Sequence, residues 1–159
     1  MLEFCKYQAT GNDFVIIDHT VYPYPVDKFR QLAKRICHRR FGVGADGILL
    51  VSHGNDMSAS MQIINADGSI AEMCGNGLRC VGRWLIERGF ESRSEFKIQT
   101  AVGLKCLRLI ERASVEEPWV LEVGMGEVAF ERAFEIERGG EIFQIEEINV
   151  GNPHAVIHS

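Results

Sequence analysis

The chain has 159 residues, 46% of them hydrophobic, and a formal net charge of -5. This composition suits one globular domain with a sizeable core and does not suit a disordered chain. The acidic balance and the lack of a basic block argue against nucleic-acid or membrane partners, and no apolar run approaches the ~18 residues of a membrane span. Because no basic and apolar leader opens the sequence, we expect a cytoplasmic protein.

Short apolar stretches bounded by turn residues predict strands along most of the chain. We expect these strands at residues 2–7, 14–17, 48–51, 60–64, 96–100, 104–110, 119–123 and 141–145. Polar and apolar residues alternate at 97–100 and 141–146, which indicates an antiparallel sheet with one solvated face, whereas 14–17 is apolar throughout. The sheet is therefore expected to be large and curved.

Two segments have the periodicity of helices. Residues 26–39 carry five apolar side chains on one face at the i, i+3, i+4, i+7 spacing: Phe29, Leu32, Ala33, Ile36 and Cys37. Residues 77–88 are apolar or glycine at nearly every position, and a helix with so little charge is expected to be mostly buried. Residues 151–159 begin a further strand without a closing element, so we expect missing polypeptide or a missing partner surface there.

Cys74 is followed by Gly75, Asn76 and Gly77, a sequence that exposes backbone N–H groups at the start of the second helix. Asn76 or Gly77 is a candidate for the N-cap of this helix. The exposed amides and the helix dipole both favour an anion, either a Cys74 thiolate or the carboxylate of a substrate. The alternative is that Cys74 is a small buried hydrophobe, as free cysteines often are.

The remaining cysteines predict no chemistry. Cys80 lies six positions after Cys74, about 240° around a helix, so it faces away from Cys74 and is expected in the core. Cys5, Cys37 and Cys106 have apolar neighbours and are expected to be structural. No C-x-x-C pair or histidine pair has ligand spacing, so we expect no metal site. The glycines at 42–44 lack the third glycine of a dinucleotide fingerprint, and no cofactor is expected.

Five sequence blocks occur in one order from end to end of the chain. They are Gly-Asn-Asp-Phe at 11–14, Gly-Val-Gly-Ala-Asp-Gly at 42–47, Asn-Ala-Asp-Gly-Ser at 65–69, Met-Cys-Gly-Asn-Gly-Leu-Arg-Cys at 73–80 and Gly-Asn-Pro-His at 151–154. In these blocks the chain resembles the diaminopimelate epimerases. The proline racemases share only the Met-Cys-Gly core of the fourth block.

This resemblance implies an α+β fold with two pseudo-symmetric domains, each a curved, mostly antiparallel, barrel-like sheet around a central helix. It implies an isomerase that needs no cofactor and interconverts LL- and meso-diaminopimelate, precursors of lysine and of the cell wall. Each domain supplies one cysteine, and the small amino-acid substrate binds between the domains. One thiolate removes the alpha proton while the opposing thiol delivers a proton to the other face.

The resemblance also implies roles for individual residues. Cys74 matches the catalytic cysteine of the first domain, described as the proton donor in the LL-to-meso direction. The positions that match substrate-binding residues are Asn12, Asn65, Gly75, Asn76 and Asn152. His154 matches a residue that tunes the pKa values of the cysteines. Asparagines suit a zwitterionic substrate because each offers donors and an acceptor without adding charge.

The chain departs from the family pattern in its extent, because residues 1–159 match only the N-terminal domain. The second block with Ala-Cys-Gly-Ser-Gly is absent from the sequence, so a second domain or a second chain is needed to supply the opposing cysteine. Gly47 also stands where some members have a substrate-contacting glutamine. Four alternatives stay open: a homodimer that pairs two Cys74 thiols, an inactive half, a ligand-binding module, or another amino-acid racemase of the superfamily.

Overall fold

The computed structural model describes residues 1–54, 59–114, 117–150 and 153–158. Its chain divides into two compact units, Met1–Gly124 and Met125–Ser159. The assignment of residues 1–159 to a single N-terminal domain stays a prediction. Among the helices in the described part of the chain, none is both long and apolar enough to cross a membrane.

The first unit is a sheet of eight strands with two helices. The strands lie in the order β1-β2-β3-β4-β6-β7-β8, and β5 pairs with β4. Two neighbouring pairs, β2 with β3 and β4 with β6, are parallel, and the other pairs are antiparallel. The bounds are β1 Cys5–Ala9, β2 Asn12–Asp18, β3 Gly47–His53, β4 Ala59–Asn65, β5 Ile70–Ala71, β6 Glu95–Thr100, β7 Gly103–Glu111 and β8 Val120–Val123, with helices α1 Val26–Ile36 and α2 Gly75–Glu87.

Helix α2 is the centre of this unit. It contacts both edge strands, β1 and β8, and most strands between them, so the sheet curves around it as an incomplete barrel. Eight of its thirteen residues are buried, including Leu78, Trp84 and Leu85. The expected α+β fold, with a curved and mostly antiparallel sheet around a central helix, is confirmed.

Helix α1 covers the other face of β2 and β3. Its buried residues Phe29 and Ala33 pack in one cluster with apolar side chains of both strands, among them Val15, Ile17 and Ile48. Residues 14–17 are therefore covered on both faces, as their continuous apolar pattern predicts.

Helix α1 ends at Ile36 and not at residue 39, because the following loop turns back onto its last carbonyls. The N–H of Gly44 donates to the carbonyl of Ile36 at 3.0 Å, and the N–H of Ala45 donates to that of Cys37 at 3.1 Å. These carbonyls lack partners within the helix, and the loop supplies them. The glycine-containing loop at 42–44 thus fixes where β3 begins.

The second unit is a sheet of three antiparallel strands in the order β11-β10-β9. Its strands are β9 Ala129–Arg138, β10 Glu141–Asn149 and β11 Pro153–His158. Gly139 and Gly140 connect the first two, and both have positive φ, at 66° and 82°, which suits glycine in a tight hairpin turn. The expected strand at 141–145 is the start of β10, whereas β9 was not expected from the sequence.

Candidate functional site

Cys74 is itself the N-cap of α2, with an extended backbone at φ -152° and ψ 109°. Its sulfur accepts a hydrogen bond from the N–H of Gly77 at 3.3 Å. The expectation that Asn76 or Gly77 caps the helix is wrong, because both lie inside its first turn. The sulfur takes the place that a serine or aspartate oxygen usually has at this position, so it meets the positive end of the helix dipole directly.

The first turn of α2 leaves little room beside this sulfur. A Cβ atom on Gly77 would lie 3.3 Å from Cδ2 of Leu49 and 3.7 Å from Sγ of Cys74. Gly77 is buried, and Cys74 is half-buried. Because residue 77 is a glycine, its N–H can approach the Cys74 sulfur while Leu49 of β3 packs against the first turn of α2.

Asn12, the first residue of β2, lies beside the same sulfur. The Cys74 thiol donates to Oδ1 of Asn12 at a distance of 3.6 Å. The other end of this amide, Nδ2, donates to Oδ2 of Asp46 at 2.6 Å. Cys74, Asn12 and Asp46 thus form one continuous chain of hydrogen bonds. Asn12 is 62 positions from Cys74 and 34 positions from Asp46 in the sequence.

Asp46 belongs to a network of charged side chains. Arg39 donates to Oδ1 of Asp46 at 2.6 Å and to both carboxylate oxygens of Asp13, at 2.8 and 3.1 Å. Lys6 pairs with Asp13 from β1 at 3.0 Å. The hydrogen bonds from Arg39, followed by those from Lys6, hold the pKa of Asp13 well below its usual range.

Asn65, the last residue of β4, lies close to Asp46. In the sheet register Asn65 pairs with Gly47, and the N–H of Ala66 donates to the carbonyl of Asp46 at 3.0 Å. The side chain of Asn65 donates from Nδ2 to Oγ of Ser69 at 2.9 Å, within the turn that follows the strand. The backbone beside Asn65 therefore meets Asp46, whereas the Asn65 side chain bonds within its own turn.

Asn76 lies in the first turn of α2, directly after Gly75. Its Oδ1 accepts from Arg79 at 2.8 Å, and the same guanidinium donates to the carbonyl of Leu121 in β8 at 3.2 Å. Because Arg79 holds the oxygen of this amide, the Nδ2 group is the end left to donate to a ligand. Arg79, which also contacts the edge strand β8, thus holds the Asn76 side chain in place.

Gly47 leaves no room for a side chain in this backbone. A Cβ atom at this position would lie 2.6 Å from the carbonyl oxygen of Ile64. The two remaining residues expected at the site belong to the second unit. Asn152 lies outside the described residues, and His154 lies in β11, where it pairs with Ile148 of β10.

The other cysteines differ from one another in burial. Cys80 is buried in α2, as expected, and burial raises its pKa to about 12. Burial likewise raises the pKa of Cys37 to about 11. Cys5 is half-buried, and Arg88 donates to its sulfur at 3.1 Å. Cys106, expected to be structural from its apolar neighbours, is exposed, with its side chain on the solvent face of β7.

Two further features bear on what the site can hold. Among the described residues, no group of three or more histidine, cysteine, aspartate or glutamate side chains could bind a metal ion. A cavity of about 890 Å³ lies over the solvent face of β6, β7 and β8, where Cys106 and Arg108 line it, and Cys74 is not part of its wall.

Sequence reasoning missed the network that supports Asn12. Asp13, Asp46 and Arg39 had no assigned role, although Asp13 and Asp46 lie inside two of the blocks that define the resemblance. Their presence in those blocks was the available signal. The partner of each side chain is distant in sequence, so the pairing itself follows only from the fold.

A half-barrel around a central helix is also the fold of solved amino-acid epimerases. A hydroxyproline epimerase from Agrobacterium vitis superposes with a TM-score of 0.71 over 98% of this chain and 51% of that chain, at 14% identity. A predicted epimerase from Pseudomonas aeruginosa gives a TM-score of 0.65 at 14% identity and covers 98% of this chain and 59% of that chain. At such identity these structures establish the fold alone.

The sequence defines the family more narrowly than the fold does. A profile described as Diaminopimelate epimerase matches residues 4–131. The diaminopimelate epimerases of Pelotomaculum thermopropionicum and Parabacteroides distasonis are 37% and 39% identical over 98% of this chain. The chain belongs to the diaminopimelate epimerase family. It spans 60% and 57% of the length of these two relatives.

Proposed function

We propose that this chain supplies one half of the active site of a cofactor-independent epimerase that interconverts LL- and meso-diaminopimelate. The observation that carries the proposal is the position of the Cys74 sulfur between the N–H of Gly77 and the amide oxygen of Asn12. A sulfur with one donor and one acceptor beside it can be held both as a thiol and as a thiolate. A group that gives and later regains a proton needs both forms.

In the proposed reaction, a base opposite Cys74 takes the alpha proton of the substrate. The electron pair of the broken C–H bond moves onto the adjoining carboxylate, and the Cys74 thiol then gives its proton to the opposite face of the same carbon. The thiolate left on Cys74 accepts from the N–H of Gly77 at the positive end of α2. The reverse reaction uses the same groups with acid and base exchanged.

The substrate carboxylate next to the reacting carbon carries the developing charge. Amides at the start of α2, from Gly75 onward, are suited to bind it, together with Nδ2 of Asn76. Asn12 contacts Cys74, and Asn65 pairs with Gly47 in the sheet; both are proposed to bind the amino-acid end of the substrate. The proposal also includes Asn152 as a binding residue and His154 as a residue that influences the cysteines, on the resemblance alone.

The base that faces Cys74 is proposed to come from polypeptide beyond these residues. The relatives are longer than this chain, and the second unit has an apolar sheet face that suits a further element. Phe134, Ile145 and Ile157 lie opposite one another across its three strands; Phe134 and Ile157 are 38% and 57% exposed, whereas Ile145 between them is buried. An apolar surface of this kind is usually covered by packing.

The binding half of the proposal is tested by ligand protection. Iodoacetamide modifies accessible thiols, so meso-diaminopimelate at saturating concentration should slow the alkylation of Cys74 but not that of Cys106, as followed by peptide mass mapping. 1,5-Diaminopentane, which lacks both carboxylates, is the control ligand and should give no protection. Asn76→Ala should weaken the protection. Unchanged alkylation of Cys74 at any concentration of the substrate would contradict the proposal.

The catalytic half is tested by hydrogen exchange. In heavy water, loss of the alpha-proton NMR signal of diaminopimelate reports proton removal. We expect this chain alone to exchange the proton very slowly, because the opposing base is outside it. Rapid racemisation by a chain that light scattering shows to be monomeric would refute the half-site. Exchange that requires a dimer and disappears in Cys74→Ala would instead mean that two copies pair their Cys74 thiols.

A further inference from the structure

The orientation of the Asn12 amide is determined by chemistry. Nδ2 of Asn12 lies 2.6 Å from Oδ2 of Asp46, and Oδ1 of the same Asp46 accepts from Arg39 at 2.6 Å. A carboxylate paired with a guanidinium is ionised, and an ionised carboxylate only accepts hydrogen bonds. The NH₂ group of Asn12 must therefore face Asp46, and its oxygen must face Cys74.

An amide oxygen stabilises a thiol and not a thiolate. Oδ1 of Asn12 accepts the proton of the Cys74 thiol, whereas a thiolate in the same place would face the lone pairs of that oxygen. The N–H of Gly77 has the opposite preference, since it donates to the sulfur. The two contacts therefore compete, and the orientation of Asn12 decides which form of Cys74 is favoured.

Asp46 is held firmly enough to impose this orientation. Its N–H donates to the carbonyl of Asp13 at 2.8 Å, and its own carbonyl accepts from the N–H of Ala66 at 3.0 Å. Its Oδ2 atom also accepts from the N–H of Asp13 at 3.1 Å. Contacts to β2, to the end of β4 and to Arg39 thus fix both the backbone and the carboxylate.

We propose that Asp46 is a positioning residue that, through the amide of Asn12, holds Cys74 as the thiol and so makes it the proton donor of this half-site. Asp46 touches neither the sulfur nor the reacting carbon in this scheme. The inference rests on the proposed function and deepens it, because a proton donor at Cys74 is needed only if this cysteine exchanges a proton with a substrate.

Other charged and titratable groups surround this arrangement and enter any pH dependence. They are Lys6 on β1, Asp13 on β2, Arg39 after α1 and Arg79 on α2, together with the buried thiol of Cys80. Glu72 is next but one to Cys74 in the chain. The test must therefore separate an effect transmitted by Asn12 from a general change of charge.

The test is the substitution Asp46→Asn with the pH profile of Cys74 alkylation as the measurement. If Arg39 keeps its contact with the side-chain oxygen, the new NH₂ group faces the NH₂ group of Asn12. Two donors in contact repel, so the Asn12 amide should rotate and donate to the sulfur. A hydrogen bond exchanged in this way should lower the pH at which Cys74 is half-reactive by about one unit.

A double-mutant cycle separates an effect transmitted by Asn12 from a general effect of the lost charge. In an Asn12→Ala background, Asp46→Asn should produce no further shift, because the amide that transmits its effect is gone. An equal shift in both backgrounds would overturn the inference, because loss of the Asp46 charge would then explain the whole effect. Asp27→Asn is the matched control, since Asp27 lies on α1 and its ion pair among the described residues is with Arg30, and its profile should equal that of the unaltered chain.

A measurement on the unaltered chain covers the case in which Asp46→Asn does not fold. The side-chain NH₂ protons of Asn12, assigned by NMR with Asn12→Ala, should exchange slowly with water because one of them is bonded to Asp46. Rapid exchange would overturn the inference. None of these readouts needs turnover or substrate, so failure of the inference is distinguishable from failure of the proposed function, which the protection and exchange experiments test.

Discussion

Gly82 of α2 and Leu107 of β7 pack so closely that a Cβ atom on Gly82 would lie 2.7 Å from Cδ2 of Leu107. It would also lie 2.8 Å from Cδ2 of Leu121. Both leucines are buried, so a methyl group displaced by an added Cβ atom must repack against its neighbours. The helix axis can approach the sheet at this point only because residue 82 has no side chain.

We therefore expect Gly82→Ala to destabilise the protein, although alanine is the better helix former. The gain in helix propensity is about 1 kcal/mol, whereas overpacking of a core costs about 1–3 kcal/mol. A net loss of about 1 kcal/mol should appear in urea denaturation. Gly124→Ala is the control, because a Cβ there would be at ordinary distances of 3.6 and 3.7 Å from Cys106. Equal midpoints for the two variants would contradict the prediction.

The parts of the fold that sequence analysis predicted are those whose residues are buried in a regular pattern. The apolar run at 14–17 and the nearly uncharged segment at 77–88 correspond to β2 and α2. Strand β9 escaped prediction because all of its residues are exposed and apolar and polar residues alternate over only a short part of it, at 134–137. The two-residue strand β5 is too short to have a pattern.

The site divides in the same way. Cys74 was found because the residues after it predict a helix, but its place as the N-cap was not, since caps are usually oxygen side chains. The link from Asn12 to Asp46 spans 34 positions and has no local signal. The exposure of Cys106 was predictable from period-2 alternation, because Leu107 beside it faces the core and Arg108 after it is again exposed.

Gly42 makes the tightest approach to backbone that we find among the glycines of the described residues. A Cβ atom there would lie 2.2 Å from the carbonyl oxygen of Arg35 and 2.5 Å from that of Ile36. Backbone at the end of a helix cannot move aside as a side chain does, so Gly42→Ala should cost at least about 2 kcal/mol. Thermal unfolding followed by circular dichroism measures the loss. A melting temperature within experimental error of Gly124→Ala would show that the loop after α1 adapts.

Asp13 should make the free energy of unfolding depend on pH. Arg39 and Lys6 hold its pKa below the value near 3.9 of an unfolded chain, so the folded state binds the proton less readily. Its contribution is therefore complete above about pH 4 and is lost as the pH falls further. Asp13→Asn should lose about 1 kcal/mol at neutral pH, a modest value because the Arg39 side chain is 58% exposed.

Urea denaturation of both proteins across the acid range tests this sign. The stability curves of Asp13→Asn and of the unaltered chain should converge as the pH falls below about 4. Asp27→Asn is again the control, because the Asp27 side chain is 81% exposed. Curves that stay parallel down to the lowest pH would mean that Asp13 contributes no pH-dependent stability.

Four of the five cysteines should divide by accessibility when the folded chain is treated with iodoacetamide at about pH 8. Cys37 and Cys80 are buried, and burial raises their pKa values to about 11 and about 12, so neither presents thiolate to the reagent. Cys106 is exposed and Cys74 is half-buried, so both should be modified. Peptide mass mapping assigns each site, and in urea all five should react. Modification of Cys80 as fast as Cys106 under native conditions would mean that α2 opens readily, and the rigid N-terminus that holds the Cys74 sulfur would then be lost with it.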